Sequence, residues 1–242
     1  ASELDEFSPD FVIVYGYNQL IHWVAFRYAI ARRVPFALRS DSNVHLDTST
    51  KWTSRVRRSL VRRLLKQAHS VLTVGTANEE YWLKLGAAPE QIVPAPYAVD
   101  NERIRSLAGQ REETTQGPVR LLYVGRLIRR KGLDLLLEAF NQISSVRSAS
   151  LTIVGDGPQR AELEAMQMPT ARAMTQWMGK LSNDDAIRCM GQGDVLVLPS
   201  RYEPWGLVVN EAMAAGLAVV AHRHCGAAID LVRDGKTGWI FD

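Results

Sequence analysis

Two carboxylates, Glu203 and Glu211, stand eight residues apart in the stretch DVLVLPSRYEPWGLVVNEAMAAG, from Asp194 to Gly216. Ionised carboxylates only accept hydrogen bonds, so two of them aimed at one pocket suit a ligand rich in hydroxyl donors, a sugar or a ribose. The stretch opens on an apolar run of strand character, Val195 to Leu198, passes through a turn of Pro, Ser and Gly, and enters a helical pattern from Leu207 to Ala215. That order sets the unpaired N–H groups of the helix start beside the loop, where an anionic or hydroxyl-rich ligand docks. Glu203 then lies in the loop and Glu211 one turn inside the helix. The competing reading of this stretch alone is a surface loop with two solvated acids.

Two more loops carry ligand chemistry. One is Gly125-Arg126-Leu127 with Lys131-Gly132 opening the next helix; the other is Gly155-Asp156-Gly157-Pro158. Each follows an apolar run. Parallel strands present their carboxyl ends to one edge, so the three loops converge on one crevice. Arg126 supplies a planar fork, Lys131 a point charge and the helix start at Leu207 fixed dipoles, which together describe a diphosphate site. Gly155 and Gly157 also invite a nicotinamide reading, but Arg160 stands where a third Gly belongs and the next strand ends in Trp177-Met178-Gly179-Lys180 without a ribose-binding acid. Glycines serving a tight turn explain the pattern better. His222, His224 and Cys225 alternate as zinc ligands could, with no second ligand group nearby. The following Gly226-Ala227-Ala228 suits close backbone approach to a ligand.

The elements that must hold these loops form a β-α rhythm, the signature of a parallel sheet. In the second half, strands are expected at 119 to 124, 150 to 154, 175 to 178, 194 to 198, 218 to 221 and 238 to 241. Helices alternate with them near 131 to 145, 158 to 167, 183 to 191, 207 to 215 and 227 to 233. In the first half, strands are expected at Phe11 to Tyr15, Val34 to Leu38, Val71 to Val74 and Ile92 to Val93, with helices at Ile21 to Ala31 and Ala77 to Leu85. Residues 1 to 10 are polar and acidic. The domains are read as 1 to 100 and 118 to 242, joined by a hinge at 101 to 117 in which 101 to 108 has short helical character.

Between the first-half strands, RSDSNVHLDTS at 39 to 49 is a polar strand-end loop. Its Asp41, Asn43, His45 and Asp47 could hold a metal, although a solvated loop with local Asx turns is the simpler reading. Arg55, Arg57, Arg58, Arg62, Arg63 and Lys66 crowd a helix whose apolar members are Val56, Leu60, Val61, Leu64 and Leu65. Such a helix either packs one stripe into the core or seats itself on anionic lipid. The 242 residues include no apolar run long enough to span a bilayer and no signal peptide, so a cytoplasmic protein is expected, at the inner face of the membrane if the basic helix engages lipid. Two distant cysteines argue against a disulfide scaffold, and a net charge of +3 is too small to imply nucleic acid.

GRLIRRKG at 125 to 132, VGDGP at 154 to 158, PSRYEPWGLVVNEAMAAGLAVVA at 199 to 221 and GAAIDLVRDGKTGWIF at 226 to 241 together resemble the retaining glycosyltransferases of family 4. The spacing of Glu203 and Glu211 looks like that family's E-x7-E motif. The resemblance implies an α/β, GT-B-like fold of two Rossmann-like parallel-sheet domains facing a cleft, the first incomplete here. It implies that Arg126 and Lys131 hold the donor diphosphate and stabilise it as leaving group. By the same resemblance Glu211 binds the ribose hydroxyls and Glu203 meets the donor sugar. Gly125 stands beside the diphosphate, Trp205, Gly206 and Leu207 form the turn at phosphate or sugar, and Gly179 and Lys180 lie at the nucleobase. The chain departs from the family with Trp205 for Phe, Asp230 for Glu and Arg39-Ser40-Asp41 where a His often stands. The opening Gly-rich loop and the closing helices have no counterpart, which implies the middle of a longer enzyme.

These expectations amount to a retaining, metal-independent transfer of a sugar from a UDP- or GDP-linked donor to an acceptor, with no cofactor. The alternatives are a nucleotide-sugar-binding fragment without activity, a GT-B sugar-nucleotide epimerase, and a lipid-associated protein.

Overall fold

A computed structural model describes residues 2–44, 52–110, 117–144 and 148–242. His45 and Asp47 lie outside the described residues, as do 111–116 of the expected hinge and the side chain of Arg55. The chain divides into two compact units, Ala1–Tyr97 and Ala98–Asp242.

The first unit runs α1 (Ser2–Phe7), β1 (Val12–Tyr15), α2 (Leu20–Arg32), β2 (Phe36–Arg39), α3 (Trp52–Leu65), β3 (Ser70–Thr73), α4 (Thr76–Leu85) and β4 (Ile92–Pro94). Its four strands pair in parallel in sequence order. β2 is apolar from Phe36 to Leu38 because it is covered on both faces there, and Phe36 and Leu38 pack with Phe26, Val61, Leu65 and Trp82. α1 was not expected from its polar composition, and six residues do not hold a helix alone. It docks on α2, where Leu4 accepts from the Tyr28 hydroxyl at 2.9 Å and Asp5 pairs with Arg32 at 2.8 Å. In α3, Val61, Leu64 and Leu65 are buried, so the helix is seated by a core-facing stripe, while Arg57, Arg62, Arg63 and, just after the helix, Lys66 are exposed.

The second unit comprises α5 (Asn101–Ala108), β5 (Val119–Val124), α6 (Leu133–Ile143), β6 (Ala149–Val154), α7 (Arg160–Ala165), α8 (Pro169–Ala173), β7 (Thr175–Gly179), α9 (Asn183–Gln192), β8 (Val195–Leu198), α10 (Leu207–Ala214), β9 (Ala218–His222), α11 (Gly226–Leu231) and β10 (Gly238–Phe241). All six strands are parallel, in the order β10-β9-β8-β5-β6-β7. The winding reverses between β5 and β8, and a doubly wound sheet binds its ligand in the crevice outside the carboxyl ends at such a switch point. α6 covers one face with Leu133, Leu136, Leu137 and Phe140, an i, i+3, i+4, i+7 stripe set against Tyr123, Leu151 and Ile153. α5, which composition assigns to the hinge, belongs to this unit. It is capped by the Asp100 carboxylate at 3.0 Å from Arg103 N–H, and it packs so tightly on α9 that a Cβ at Gly191 would stand 2.1 Å from the Ala108 carbonyl oxygen.

Candidate functional site

The loops leaving β5, β6 and β7 are laced together by their own backbones. Gly125 N–H donates to Val154 O at 3.0 Å, Leu127 N–H to Asp156 O at 3.0 Å, and Gly155 N–H to Gly179 O at 2.8 Å. A Cβ at Gly155 would stand 1.9 Å from Gly125 O, and one at Gly157 would stand 2.5 Å from Leu127 O. The G-x-G pattern therefore serves close contact between neighbouring loops, and no dinucleotide is needed to explain it. Beneath Gly125 the buried Tyr123 hydroxyl donates to Arg126 O at 3.1 Å; burial, with Glu203 and Asp134 nearby, pushes its pKa well up and keeps it a neutral donor.

At the switch point the loop after β5 meets the loop after β8. A 3-10 turn, Arg129–Lys131, brings the Lys131 ammonium onto the Glu203 carboxylate, with the two side chains only 17% and 10% exposed. Ser200 Oγ stands 3.4 Å from the same Glu203 oxygen. The Glu203 backbone is held on its other side by the β9–α11 loop, its N–H donating to His224 O at 3.0 Å and its carbonyl accepting from Gly226 N–H at 3.2 Å. Trp205 is buried. Its carbonyl accepts from Ala227 N–H at 2.8 Å and from the Cys225 thiol at 3.1 Å, and its indole N–H donates to Asn210 at 2.9 Å. Trp205 thus anchors the turn that delivers Gly206, which sits at φ 95°, and Leu207 at the start of α10. The close approach expected at Gly226 is made to the chain itself, since a Cβ there would stand 2.3 Å from Pro204 O.

At the carboxyl ends of β5, β6 and β7 opens a cleft of about 490 Å³ whose lining includes Gly125, Arg126, Asp156, Lys180 and Asn183. Arg126 and Lys180 are exposed in it. Asn183, the first residue of α9, donates through Nδ2 to Glu211 Oε1 at 3.3 Å. Its own Oδ1 lies 3.4 Å from the Arg103 guanidinium of α5, which is also paired with Asp184. Sequence reasoning missed both residues. Asn183 was within reach of the strand-end rule, because Ser182 caps the helix that follows β7; Arg103, eighty positions away, carries no sequence signal.

Burial is the main influence on Glu211 and raises its pKa above the ordinary 4.5, while Asn183 and Arg103 pull it down. With the folded pKa above the unfolded one, the ionised group costs stability above the folded value, and the cost is gone below the unfolded value. Glu211→Gln is therefore expected to melt no earlier than the parent at pH 7. Melting scans across pH check this: the parent should gain stability relative to the variant as pH falls through the raised Glu211 pKa, and an unchanged difference would mean that burial of the charge does not cost stability.

The remaining sequence candidates lie elsewhere. The Cys225 thiol, with its pKa raised to about 11 by burial, is turned to Trp205 O, and His222 Nδ1 accepts from His224 N–H at 3.1 Å, so the three side chains do not converge on a common point. In the 39–44 loop Asn43 is buried. Among the described residues no group of three His, Cys, Asp or Glu side chains could hold a metal ion.

The profile of the family described as glycosyl transferases group 1 matches residues 108–242, which include the ion pair, the cleft and all six strands of the second sheet. The chain belongs to this family. Among curated relatives, this group 1 glycosyltransferase chain is 28% identical over 261 residues to sulfoquinovosyl transferase SQD2 of Arabidopsis thaliana, covering 100% of the chain and 48% of the relative. It is 30% identical over 227 residues to a glycogen synthase of Mycobacterium tuberculosis, covering 89% and 54%. The chain thus spans about half the length of these relatives. Among solved structures it is similar to Anabaena Alr3699/HepE in complex with UDP, with a TM-score of 0.78 at 19% identity over 99% of the chain and 67% of the other. It is also similar to the lipopolysaccharide outer core galactosyltransferase WaaB, with a TM-score of 0.76 at 20% identity over 99% and 64%. The fold is that of the GT-B glycosyltransferases, with two Rossmann-like parallel-sheet units.

Proposed function

We propose that this chain carries the donor site of an enzyme that transfers a sugar from a nucleotide-diphosphate donor to an acceptor, with retention of anomeric configuration and without a divalent ion. The observation that carries the reading is the shielded Lys131–Glu203 pair at the switch point, with Lys131 on the same strand-end loop as Arg126, which is exposed with Lys180 in the cleft. As the glycosidic bond of the donor breaks, negative charge grows on the departing diphosphate. Fixed cations are then worth more in the transition state than in the ground state. Arg126 and Lys131 supply them, Gly125 lets the loop lie against the phosphates, and Gly206 with Leu207 presents backbone N–H groups. Glu203, released from Lys131 as that ammonium turns to phosphate, accepts from the sugar hydroxyls. Glu211 accepts from the ribose, and Gly179 and Lys180 border the base. The bound UDP of the HepE structure supports a uridine or related nucleotide as the first ligand to try.

Calorimetry with UDP and GDP, alongside turnover of the matching nucleotide sugars with and without EDTA, tests the reading. Binding of one diphosphate with EDTA-insensitive transfer is expected. Binding without turnover would identify a donor-binding chain without activity, and no binding of either nucleotide would overturn both. The exposed Arg57, Arg62 and Arg63 of α3 and Lys66 just after it, with Val56 and Leu60 also exposed, further support peripheral contact with anionic lipid. No helix among the described residues is long and apolar enough to cross a membrane. Flotation with anionic vesicles, reversed by salt and abolished in Arg57→Gln/Arg63→Gln, is the expected result; equal recovery on neutral vesicles rejects the contact.

A further inference from the structure

Arg201 sits two residues before Glu203, and its contacts reach across to the other half of the ion pair. Its guanidinium grips Asp134 with both prongs, Nη1 at 2.7 Å from Oδ1 and Nη2 at 2.6 Å from Oδ2, and Nη1 also donates to Arg129 O at 2.9 Å. Its backbone N–H donates to Arg130 O at 2.9 Å. The three attachment points, Arg129, Arg130 and Asp134, flank Lys131 on both sides. Lys131 itself rides on a three-residue 3-10 turn, closed by Lys131 N–H to Ile128 O at 2.8 Å and Gly132 N–H to Arg129 O at 3.2 Å. Such a turn has poor hydrogen-bond geometry and does not hold its shape unaided.

We propose that Arg201 and Asp134 are positioning residues that strap the 129–132 turn to the Glu203 loop and so set where the Lys131 ammonium stands. The inference rests on the reading of Lys131 as a diphosphate ligand, and it adds two residues that touch no substrate. A bidentate guanidinium–carboxylate pair fixes both distance and plane, which a single ammonium cannot do. The strap attaches at Arg129, Arg130 and Asp134, on either side of Lys131, and neither Arg201 nor Asp134 lines the 490 Å³ cleft. Its loss should therefore be felt through Lys131 and not through the base or ribose contacts. Arg201 also keeps the Asp134 carboxyl below its ordinary value, so the pair stays ionised throughout the neutral range.

The test is a double-mutant cycle between Arg201 and Lys131, read by calorimetry with the tighter-binding of UDP and GDP and with the corresponding monophosphate. Lys131→Ala should weaken the diphosphate about tenfold and the monophosphate far less, as expected for one lost charge-assisted contact. Arg201→Gln should weaken the diphosphate about fivefold in the parent but less than twofold in the Lys131→Ala background, because its effect passes through the same ammonium. Arg201→Lys should recover only part of the loss. Should Arg201→Gln fold poorly in melting scans, Asp134→Asn, which keeps the shape and removes the charge, takes its place in the cycle. Multiplying effects, or equal losses of diphosphate and monophosphate, would overturn the strap while leaving Lys131 assigned. A Lys131→Ala variant with unchanged diphosphate preference would overturn the assignment of Lys131 and the strap with it.

Discussion

Lys131→Ala is expected to slow sugar transfer about a hundredfold, on the order of 3 kcal/mol, the scale set by removing one fixed donor from a developing oxyanion. The same change should destabilise the second unit, because it strips the counter-charge from a Glu203 carboxylate that is 8% exposed as a residue and leaves it the Ser200 hydroxyl at 3.4 Å. Breaking a fully buried pair from one side costs about 3–5 kcal/mol; residual exposure of both side chains puts this one at the low end, about 3 kcal/mol. The two losses separate by a second substitution. Lys131→Ala/Glu203→Gln removes the orphaned charge, so denaturant unfolding should recover most of the stability while the rate stays low. A double variant as unstable as the single one would show that packing of the lysine stem, and not charge, holds the loops together. Normal turnover in Lys131→Ala would remove the residue from the mechanism.

Gly132→Ala is the second large effect. Gly132 stands at φ 67°, where an L side chain is strained, and an added Cβ would meet the Pro199 carbonyl oxygen at 2.0 Å, a contact that neither backbone can leave unchanged. Left-handed strain of about 1–2 kcal/mol and overpacking of about 1–3 kcal/mol together predict a loss near 3 kcal/mol. Because Gly132 follows Lys131 directly, relief of that clash must lift the 129–132 turn away from the loop after β8. Diphosphate affinity should therefore fall along with stability. Gly216→Ala is the control: it shares a positive φ of 88° but has nothing within 4 Å of an added Cβ. It should cost only the backbone strain and leave affinity intact. Equal stability losses at the two positions would mean that φ, and not the approach to Pro199, decides the cost.

Apolar runs made the parallel sheets legible, because a strand covered on both faces cannot alternate, and the crossover helices betrayed themselves by their 3.6-residue stripes. Arg126, Lys131, Glu203 and Glu211 were legible as site candidates for a related reason: each follows the carboxyl end of such a run, and the topology of a parallel sheet sends those ends to one edge. Residues bound by tertiary contact alone were not legible. The polar α1 becomes helical against Tyr28 and Arg32, and α5 is drawn out of an expected hinge by Gly191 and the α9 surface. Gly226 misled, since the close approach expected to a ligand is made to the Pro204 carbonyl, whereas Gly155 and Gly157, read as turn glycines, do serve backbone packing between loops.

For the opening pair of carboxylates, sequence alone determined that one lies in the loop after β8 and the other inside α10, because local patterning dictates strand, turn and helix. Which cation stands on Glu203, which amide holds Glu211, and which arginine straps the lysine turn were decided only by the fold. Those partners come from positions 28 to 72 residues away, and no local propensity encodes a contact that exists only once the strand order has brought distant loops together.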